Sequence, residues 1–244
     1  MKTHQIRQLT TELSYMDFIK IDKKQNIIFM RVMLRNEFRN FHIATYNIKT
    51  NNLKIWNESN NDNSILDFDY NQSDNLAVVS FSVAEATEKL EEANKNQTTM
   101  SPPKYSIDIL DTEGKIERHI NNIEKFITGV SLSSDKRSIL LSFNESLNSS
   151  ITQVEEINVS TGMENTILKS KSNYSNIRAV KYDVNKKGFF FLSSLNNSKN
   201  YNAIEIPKKS MLSYYNFKTK KVKTLWNTDK GVIVSYSIGI KKNK

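Results

Sequence analysis

The pattern of apolar and polar positions repeats four times along this chain of 244 residues. In each repeat an apolar strand leads into a polar turn, then a very apolar strand, a polar excursion and a strand–turn–strand hairpin. The repeats open at Phe18, Phe68, Val130 and Val180, at spacings of 50, 62 and 50 residues. A repeat of about 40–60 residues that carries four strand signals is typical of the blades of a β-propeller.

The second strand of each repeat is its most apolar part. Residues 27–34, 76–83, 139–143 and 189–192 are near-continuous apolar runs, which is typical of strands that are covered on both faces. The first and closing strands alternate between apolar and polar residues, as half-buried strands do. We therefore expect an all-β protein made of four-stranded antiparallel blades, in which each second strand lies between two neighbouring blades.

One segment departs from the strand pattern. Residues 84–95 are good helix formers, and the prolines at 102 and 103 end the excursion because proline has no amide donor. The sequence therefore predicts one short helix near 84–97, inserted between the second and third strands of the second blade. This insertion is either a solvated surface excursion or a functional element, that is, a lid or a partner-binding segment.

The whole chain, residues 1–244, is expected to form a single propeller domain. The predicted blades span about 15–58, 63–120, 124–168 and 174–227. Residues 1–10 have the pattern of an outermost strand and residues 231–244 that of an innermost strand, so together they predict a partial blade without its two middle strands. The ring would then be irregularly closed, or the chain would be a piece of a longer propeller.

Residues that carry chemistry are sparse. The chain has no cysteine, which excludes disulfides and thiolate chemistry, and it has no run of 18 apolar residues that would predict a membrane span. His4, His42 and His119 fall on different repeats, so structural or solvated roles are favoured over metal binding. Motifs of nucleophile elbows, zinc helices, phosphate loops and calcium loops are absent from the sequence. We expect no catalytic residue, no metal and no cofactor.

Residues 133–143, followed by residues 157–162, resemble the TolB-like, WD-type β-propeller repeat. The same repeat occurs in the propeller domains of prolyl-oligopeptidase-type peptidases, and the resemblance covers essentially the whole chain. It departs from the family pattern at the turns, where a common Pro-Asp-Gly is replaced by Lys- and Asn-rich sequences. The resemblance implies a propeller fold, and the peptidases carry their serine nucleophile in a separate hydrolase domain that has no counterpart in this sequence.

The net charge of +9 is unevenly distributed. Residues 176–244 contain 15 Lys and Arg against 3 Asp and Glu, a balance of +12, whereas residues 1–175 contain 20 against 23, a balance of −3. The predicted polyanion-binding residues are Lys218, Lys220, Lys221 and Lys223. The alternative is that these lysines only make the turns soluble. Nucleic-acid binding is disfavoured, because the aromatic residues nearby fall within predicted strands.

Two functions remain open at this stage. The first is a non-catalytic interaction or scaffold propeller, bacterial by its composition, whose rim loops bind a protein partner or, weakly, an anionic polymer of the cell envelope. The second is a regulatory propeller that gates access to a separate peptidase-type hydrolase domain. A cytoplasmic location is expected if the chain is complete as given, and a location in the cell envelope if a leader or anchor precedes it.

Overall fold

The computed structural model describes residues 8–11, 13–71, 74–147, 149, 151–195 and 208–238. Within these residues, sixteen strands form four separate four-stranded sheets, and every pair of neighbouring strands is antiparallel. Each sheet consists of four consecutive strands in sequence order. The predicted all-β propeller with four antiparallel blades is confirmed.

Blade 1 consists of β1 (Leu13–Asp22), β2 (Ile27–Leu34), β3 (His42–Asn47) and β4 (Asn52–Ile55). Blade 2 consists of β5 (Asn63–Tyr70), β6 (Asn75–Ser82), β7 (Tyr105–Asp111) and β8 (Ile116–Ile123). Blade 3 consists of β9 (Phe126–Leu132), β10 (Ser138–Asn144), β11 (Thr152–Asn158) and β12 (Glu164–Lys169). Blade 4 consists of β13 (Ser175–Tyr182), β14 (Gly188–Leu195), β15 (Lys209–Asn216) and β16 (Lys221–Thr228).

The first strand of each blade lies innermost. The strand β5 contacts both β1 and β9, and β9 contacts β13, so consecutive blades meet along their first strands. The fourth strand of each blade pairs with the third strand alone and forms the outer edge of its sheet. Side chains that point inward from β1, β5, β9 and β13 are therefore brought towards one axis.

The second strands are buried on both faces, as the sequence predicts. In β10, the adjacent residues Leu140 and Leu141 are both fully buried, although their side chains point to opposite faces. Leu140 belongs to an apolar cluster that includes Ile177 and Phe189 of blade 4, whereas Leu141 belongs to one that includes Ile107 of blade 2. Apolar contact on both faces of β10 thus joins blades 2, 3 and 4.

The helix α1 (Val83–Asn96) follows β6 in blade 2 and confirms the predicted helical insertion. Its first turn is capped by Ser82, whose side-chain oxygen accepts a hydrogen bond from the backbone N–H of Glu85 at 3.0 Å. The carboxylate of Asp62 accepts a second bond, from the backbone N–H of Ala84 at 2.7 Å. These two acceptors satisfy amides that the helix itself leaves unpaired.

The turns between the first and second strands share one conformation. Asn26, Asp74, Lys136 and Lys186 lie in these turns within two residues of the second strand of their blades, and they have positive φ angles of 59°, 61°, 61° and 53°. Asn and Asp tolerate this left-handed geometry better than most residues. The Lys- and Asn-rich turns therefore reverse the chain direction between the first and second strands without the glycine of a Pro-Asp-Gly turn.

Residues 231–238 leave β16 and pack against blade 4. The backbone N–H of Ile233 donates to the Ser210 hydroxyl at 2.9 Å, and its carbonyl accepts from the Arg178 guanidinium at 2.9 Å. Within blades 3 and 4, the N–H of Ile177 likewise donates to the hydroxyl of Thr152 at 2.9 Å. The segment 231–238 therefore contacts blade 4 through the same kind of backbone-to-hydroxyl bond that joins the first strand of blade 4 to blade 3.

The other parts of the predicted partial blade, residues 1–7 and 239–244, lie outside the described residues.

Candidate functional site

The predicted polyanion-binding lysines lie at the outer edge of blade 4. Lys218 and Lys220 are in the turn between β15 and β16, and Lys221 and Lys223 lie on β16 itself. All four side chains are exposed, and none of them forms an ion pair within the described part of the chain. Their charges are therefore open to solvent and to a partner.

A fifth lysine belongs to the same edge. The backbone N–H of Phe217 donates to the carbonyl of Lys187 at 2.9 Å, which holds the two polar turns of blade 4 side by side. Lys187 is exposed, whereas its neighbour Lys186 pairs with Asp135 at 3.3 Å. We call the following set the basic rim: Lys187, Lys218, Lys220, Lys221 and Lys223.

The one carboxylate in these turns is already engaged. Asp183 accepts the Tyr214 hydroxyl at 2.5 Å and the backbone N–H of Lys187 at 2.9 Å. It therefore does little to neutralise the basic rim. A purely structural role for Lys221 and Lys223 is also available, because charged side chains on an edge strand prevent pairing with another chain.

The structure brings a second group of charges together at the axis, and sequence reasoning missed it. One equivalent position on each innermost strand carries Lys20, Asp69, Ser131 or Lys181. The cross-strand partners of these four residues are Phe29, Ala77, Leu140 and Phe190. With Asp67 of β5, the four residues form what we call the axial cluster.

In the alignment of the sequence repeats, the residue that matches Asp69, Ser131 and Lys181 is Ile19 and not Lys20. This alignment is wrong by one residue, because β1 changes register between Asp17 and Lys20. At the irregularity Phe18 has a positive φ of 48°, which turns the following side chains to the other side of the strand. The available signal was the polar character of Asp69 and Lys181 at matched places in apolar first strands.

Hydrogen bonds link the axial cluster across three blades. Lys181 Nζ lies 3.4 Å from Asp69 Oδ1, and Asp69 Oδ2 accepts the Ser131 hydroxyl at 2.8 Å and the Leu132 amide at 3.2 Å. The Ser131 oxygen in turn accepts the backbone N–H of Tyr182 at 3.1 Å. Asp69 is only 4% exposed, and both of its oxygens are paired, as a buried carboxylate requires. These bonds join blade 2 to blades 3 and 4.

The other two charged members have shifted pKa values. Desolvation lowers the pKa of Lys20, although the charge of Asp69 opposes this effect, and the nearby Lys181 lowers it further. Desolvation raises the pKa of Asp67 to about 7, against the attraction of Lys20. Asp67 Oδ2 also accepts the backbone N–H of Val130 at 3.2 Å. Near neutral pH this carboxyl is therefore divided between its neutral and charged forms.

The two described histidines are held by carboxylates on separate blades. His42 is 1% exposed, and its Nε2 lies 2.9 Å from Glu37 Oε2. His119, on the outer strand β8 of blade 2, has its Nδ1 2.6 Å from Oδ1 of Asp108 on the neighbouring strand β7. His4 lies outside the described residues. Across the described ranges, no three His, Asp or Glu residues are grouped in a way that could hold a metal ion.

The two tryptophans, which the repeat pattern predicts to pack between blades, have different environments. Trp56 is 8% exposed and packs edge-on against Phe29, with a centroid distance of 6.2 Å. Trp226 is 56% exposed, so the prediction that it packs between blades is wrong.

A cavity of about 60 Å³ lies beside Trp56 and Asp108, between blades 1 and 2. It has room for about two water molecules and is too small for an ordinary ligand.

The part of the chain that the structure describes contains no helix with the length and apolar character needed to cross a membrane.

Comparison with known proteins supports the fold. The sequence matches no family model and no curated protein. An oligogalacturonate lyase solved in complex with manganese is similar, with a TM-score of 0.59 and 9% identity, over 91% of this chain and 56% of that chain. An uncharacterized protein of Listeria monocytogenes EGD-e is similar with a TM-score of 0.51 and 11% identity, over 91% and 57% of the two chains. A prolyl endopeptidase structure is similar with a TM-score of 0.50 and 10% identity, over 89% and 30%.

The class of protein is therefore a β-propeller, and its fold is shared with the propeller domains of peptidases. This chain spans just over half the length of the lyase and of the Listeria protein, and less than a third of the endopeptidase. At identities of 9–11%, the likeness shows the fold alone.

Proposed function

We propose that this propeller is a non-catalytic binding module whose basic rim engages an acidic protein surface, with weaker binding of anionic envelope polymers. The observation that carries the proposal is the group of five exposed lysines on blade 4, none of which has an acidic partner within the described residues. The TolB-like, WD-type assignment, suggested by residues 133–143, is part of the same proposal.

The geometry of the rim favours binding to an extended negative surface. Lys221 and Lys223 are two residues apart on one strand, so their side chains leave the same face at a separation of about 7 Å. That separation is below the screening length of about 8 Å at physiological salt, so neighbouring charges reinforce one another's field. The turn lysines Lys218 and Lys220 extend the positive region along the edge of the blade.

The arrangement of carboxylates supports a function without catalysis. Adjacent Glu155 and Glu156 point to opposite faces of β11, where Glu155 pairs with Lys125 and Glu156 accepts the Tyr182 hydroxyl at 2.6 Å. Asp69 is bonded on both oxygens. These carboxylates stabilise contacts between strands or blades, as expected for a rigid scaffold that presents its rim.

The test measures retention on heparin resin and binding to poly-glutamate at two salt concentrations. The variant carries Lys218→Glu, Lys220→Glu, Lys221→Glu and Lys223→Glu, and we expect it to elute at much lower salt than the wild-type protein. If each of the four lysines releases about one counterion, the slope of log affinity against log salt falls by about 4. Circular dichroism checks that the fold is kept.

A matched control separates the rim from total charge. It carries the same reversal at four exposed lysines elsewhere, Lys49, Lys104, Lys169 and Lys171, so its net charge changes equally. We expect the control to bind nearly as well as the wild-type protein. Equal loss in both variants would show that retention follows net charge, and the basic rim would then not be the binding site.

A further inference from the structure

Two lysines from distant parts of the chain meet at the axis. Lys20 of β1 and Lys181 of β13 occupy the equivalent inward position on their strands, and Lys181 lies close enough to Lys20 to lower its pKa. When both groups are charged they are donors only, so neither can accept from the other, and two neighbouring ammonium charges repel each other. Such a contact is stabilised only where negative charge lies between or beside the two groups.

The carboxylates at the axis do not fully supply that charge. Asp69 places one oxygen on Lys181 and the other on the Ser131 hydroxyl and the Leu132 amide, so its acceptors are committed. Asp67 accepts the backbone N–H of Phe68 at 2.7 Å and that of Val130 at 3.2 Å. Within the described residues, no carboxylate forms an ion pair with Lys20.

The neighbouring hydroxyls are also engaged. The Ser131 hydroxyl donates to Asp69, and the Tyr236 hydroxyl donates to the carbonyl of Ala179 at 2.6 Å. Neither group can neutralise a lysine. The axis therefore holds two lysine side chains, one carboxylate that is bonded on both oxygens and one carboxyl whose pKa is raised to about 7.

We propose that the axial cluster is a binding site for a small oxyanion, a carboxylate or phosphate group that bridges Lys20 and Lys181. Each ammonium group offers up to three N–H donors, and an oxyanion offers acceptors to both at once. Lys181 is 29% exposed at its side chain and Lys20 is partly exposed, so an ion can reach the pair from solvent. This site is separate from the basic rim and independent of the function proposed for it.

Binding at this site should depend on pH through Asp67. The charged groups that act on this carboxyl are Lys20 from β1 and Asp69 from its own strand. Lys181 from β13 lies next to Lys20, and Tyr236 from the segment 231–238 lies near Asp69. An ionised Asp67 competes with the bound anion for Lys20 and repels it. Protonation of Asp67 as the pH falls through about 7 therefore strengthens binding.

The experiment is isothermal titration calorimetry of the whole chain at constant ionic strength, with inorganic phosphate and acetate as probes. A second pair of probes, a short acetylated peptide with a free carboxyl terminus and its amidated form, distinguishes the carboxylate of a polypeptide from a free ion. We expect saturable binding of at least one oxyanion, and a loss of tenfold or more in Lys20→Met and in Lys181→Met. The amidated peptide should not bind.

Three further variants keep the test decisive. Lys20→Arg retains the charge and should retain binding, which separates loss of the site from loss of the fold. Lys187→Met removes a lysine of the basic rim and should bind as the wild-type protein does. Asp67→Asn should bind acetate, whose own charge is constant in this range, with little dependence on pH between about 6 and about 8. The absence of saturable binding to every probe, or equal binding by the wild-type protein and both methionine variants, would overturn the proposal.

Discussion

The partly ionised carboxyl at the axis predicts how the stability of this protein depends on pH. The pKa of Asp67 is raised to about 7, chiefly by desolvation, from an ordinary value of 3.8. A raised pKa means that the folded state binds the proton more tightly than the unfolded chain does. The contribution of Asp67 to stability is therefore fully present below about pH 4 and is lost as the pH rises to about 7.

The magnitude follows from the size of the shift. A change of one pKa unit corresponds to about 1.4 kcal/mol, so a shift of about three units corresponds to at most about 4 kcal/mol. Asp67→Asn removes the titration but keeps a side-chain oxygen that can accept the N–H of Val130, which donates to Asp67 at 3.2 Å. We expect the variant to gain stability relative to the wild-type protein at about pH 8, and to gain much less at about pH 4.5.

The assay is urea unfolding followed by tryptophan fluorescence at several pH values. Asp135→Asn is the matched control, because the pKa of Asp135 is shifted in the opposite direction. Desolvation is the largest single influence and raises this pKa, but the hydrogen bonds from the Ser133 hydroxyl and the Arg137 amide together with other interactions outweigh it, so the pKa is lowered. Its contribution has the opposite sign and is lost as the pH falls. An Asp67→Asn variant whose stability changes by the same amount at every pH would refute the assignment of a raised pKa to this carboxyl.

Two further predictions concern packing between blades. Leu140→Asp should prevent folding, because an unpaired charge would be buried between blades 3 and 4, whereas Lys221→Glu at an exposed edge should change the free energy of unfolding by no more than about 0.5 kcal/mol. Urea unfolding distinguishes these outcomes, and equal destabilisation would contradict the observed burial. Trp56→Ala should cost about 3–5 kcal/mol because this side chain is 8% exposed, and Trp226→Ala at 56% exposure should cost far less. A similar melting temperature for the two tryptophan variants would contradict that difference.

Much of the fold could be predicted from the sequence because the relevant signals are local. The run 139–143 is apolar at consecutive positions, which identifies a strand buried on both faces whatever its neighbours are. Residues 84–95 predict a helix from their own propensities, and the structure places α1 at Val83–Asn96. The exposure of Lys218 and Lys220 follows from their position in a polar turn.

The axial cluster could not be predicted in the same way, because it depends on contacts between strands that are far apart in the sequence. Lys20 and Lys181 lie on blades 1 and 4, with two blades between them in the sequence, and they come close because the propeller turns its first strands towards one axis. The one-residue shift at Phe18 decides that Lys20, and not Ile19, takes the inward position.

Burial between blades was likewise decided by tertiary structure. Trp56 and Trp226 occupy matching places in the sequence repeat, but only Trp56 is covered by an adjacent blade. The pattern of apolar residues therefore determined which segments form strands and which turns are polar. The packing of one blade against the next determined which side chains lose water and which charges meet, since desolvation and electrostatic attraction depend on distance in space rather than on position along the chain.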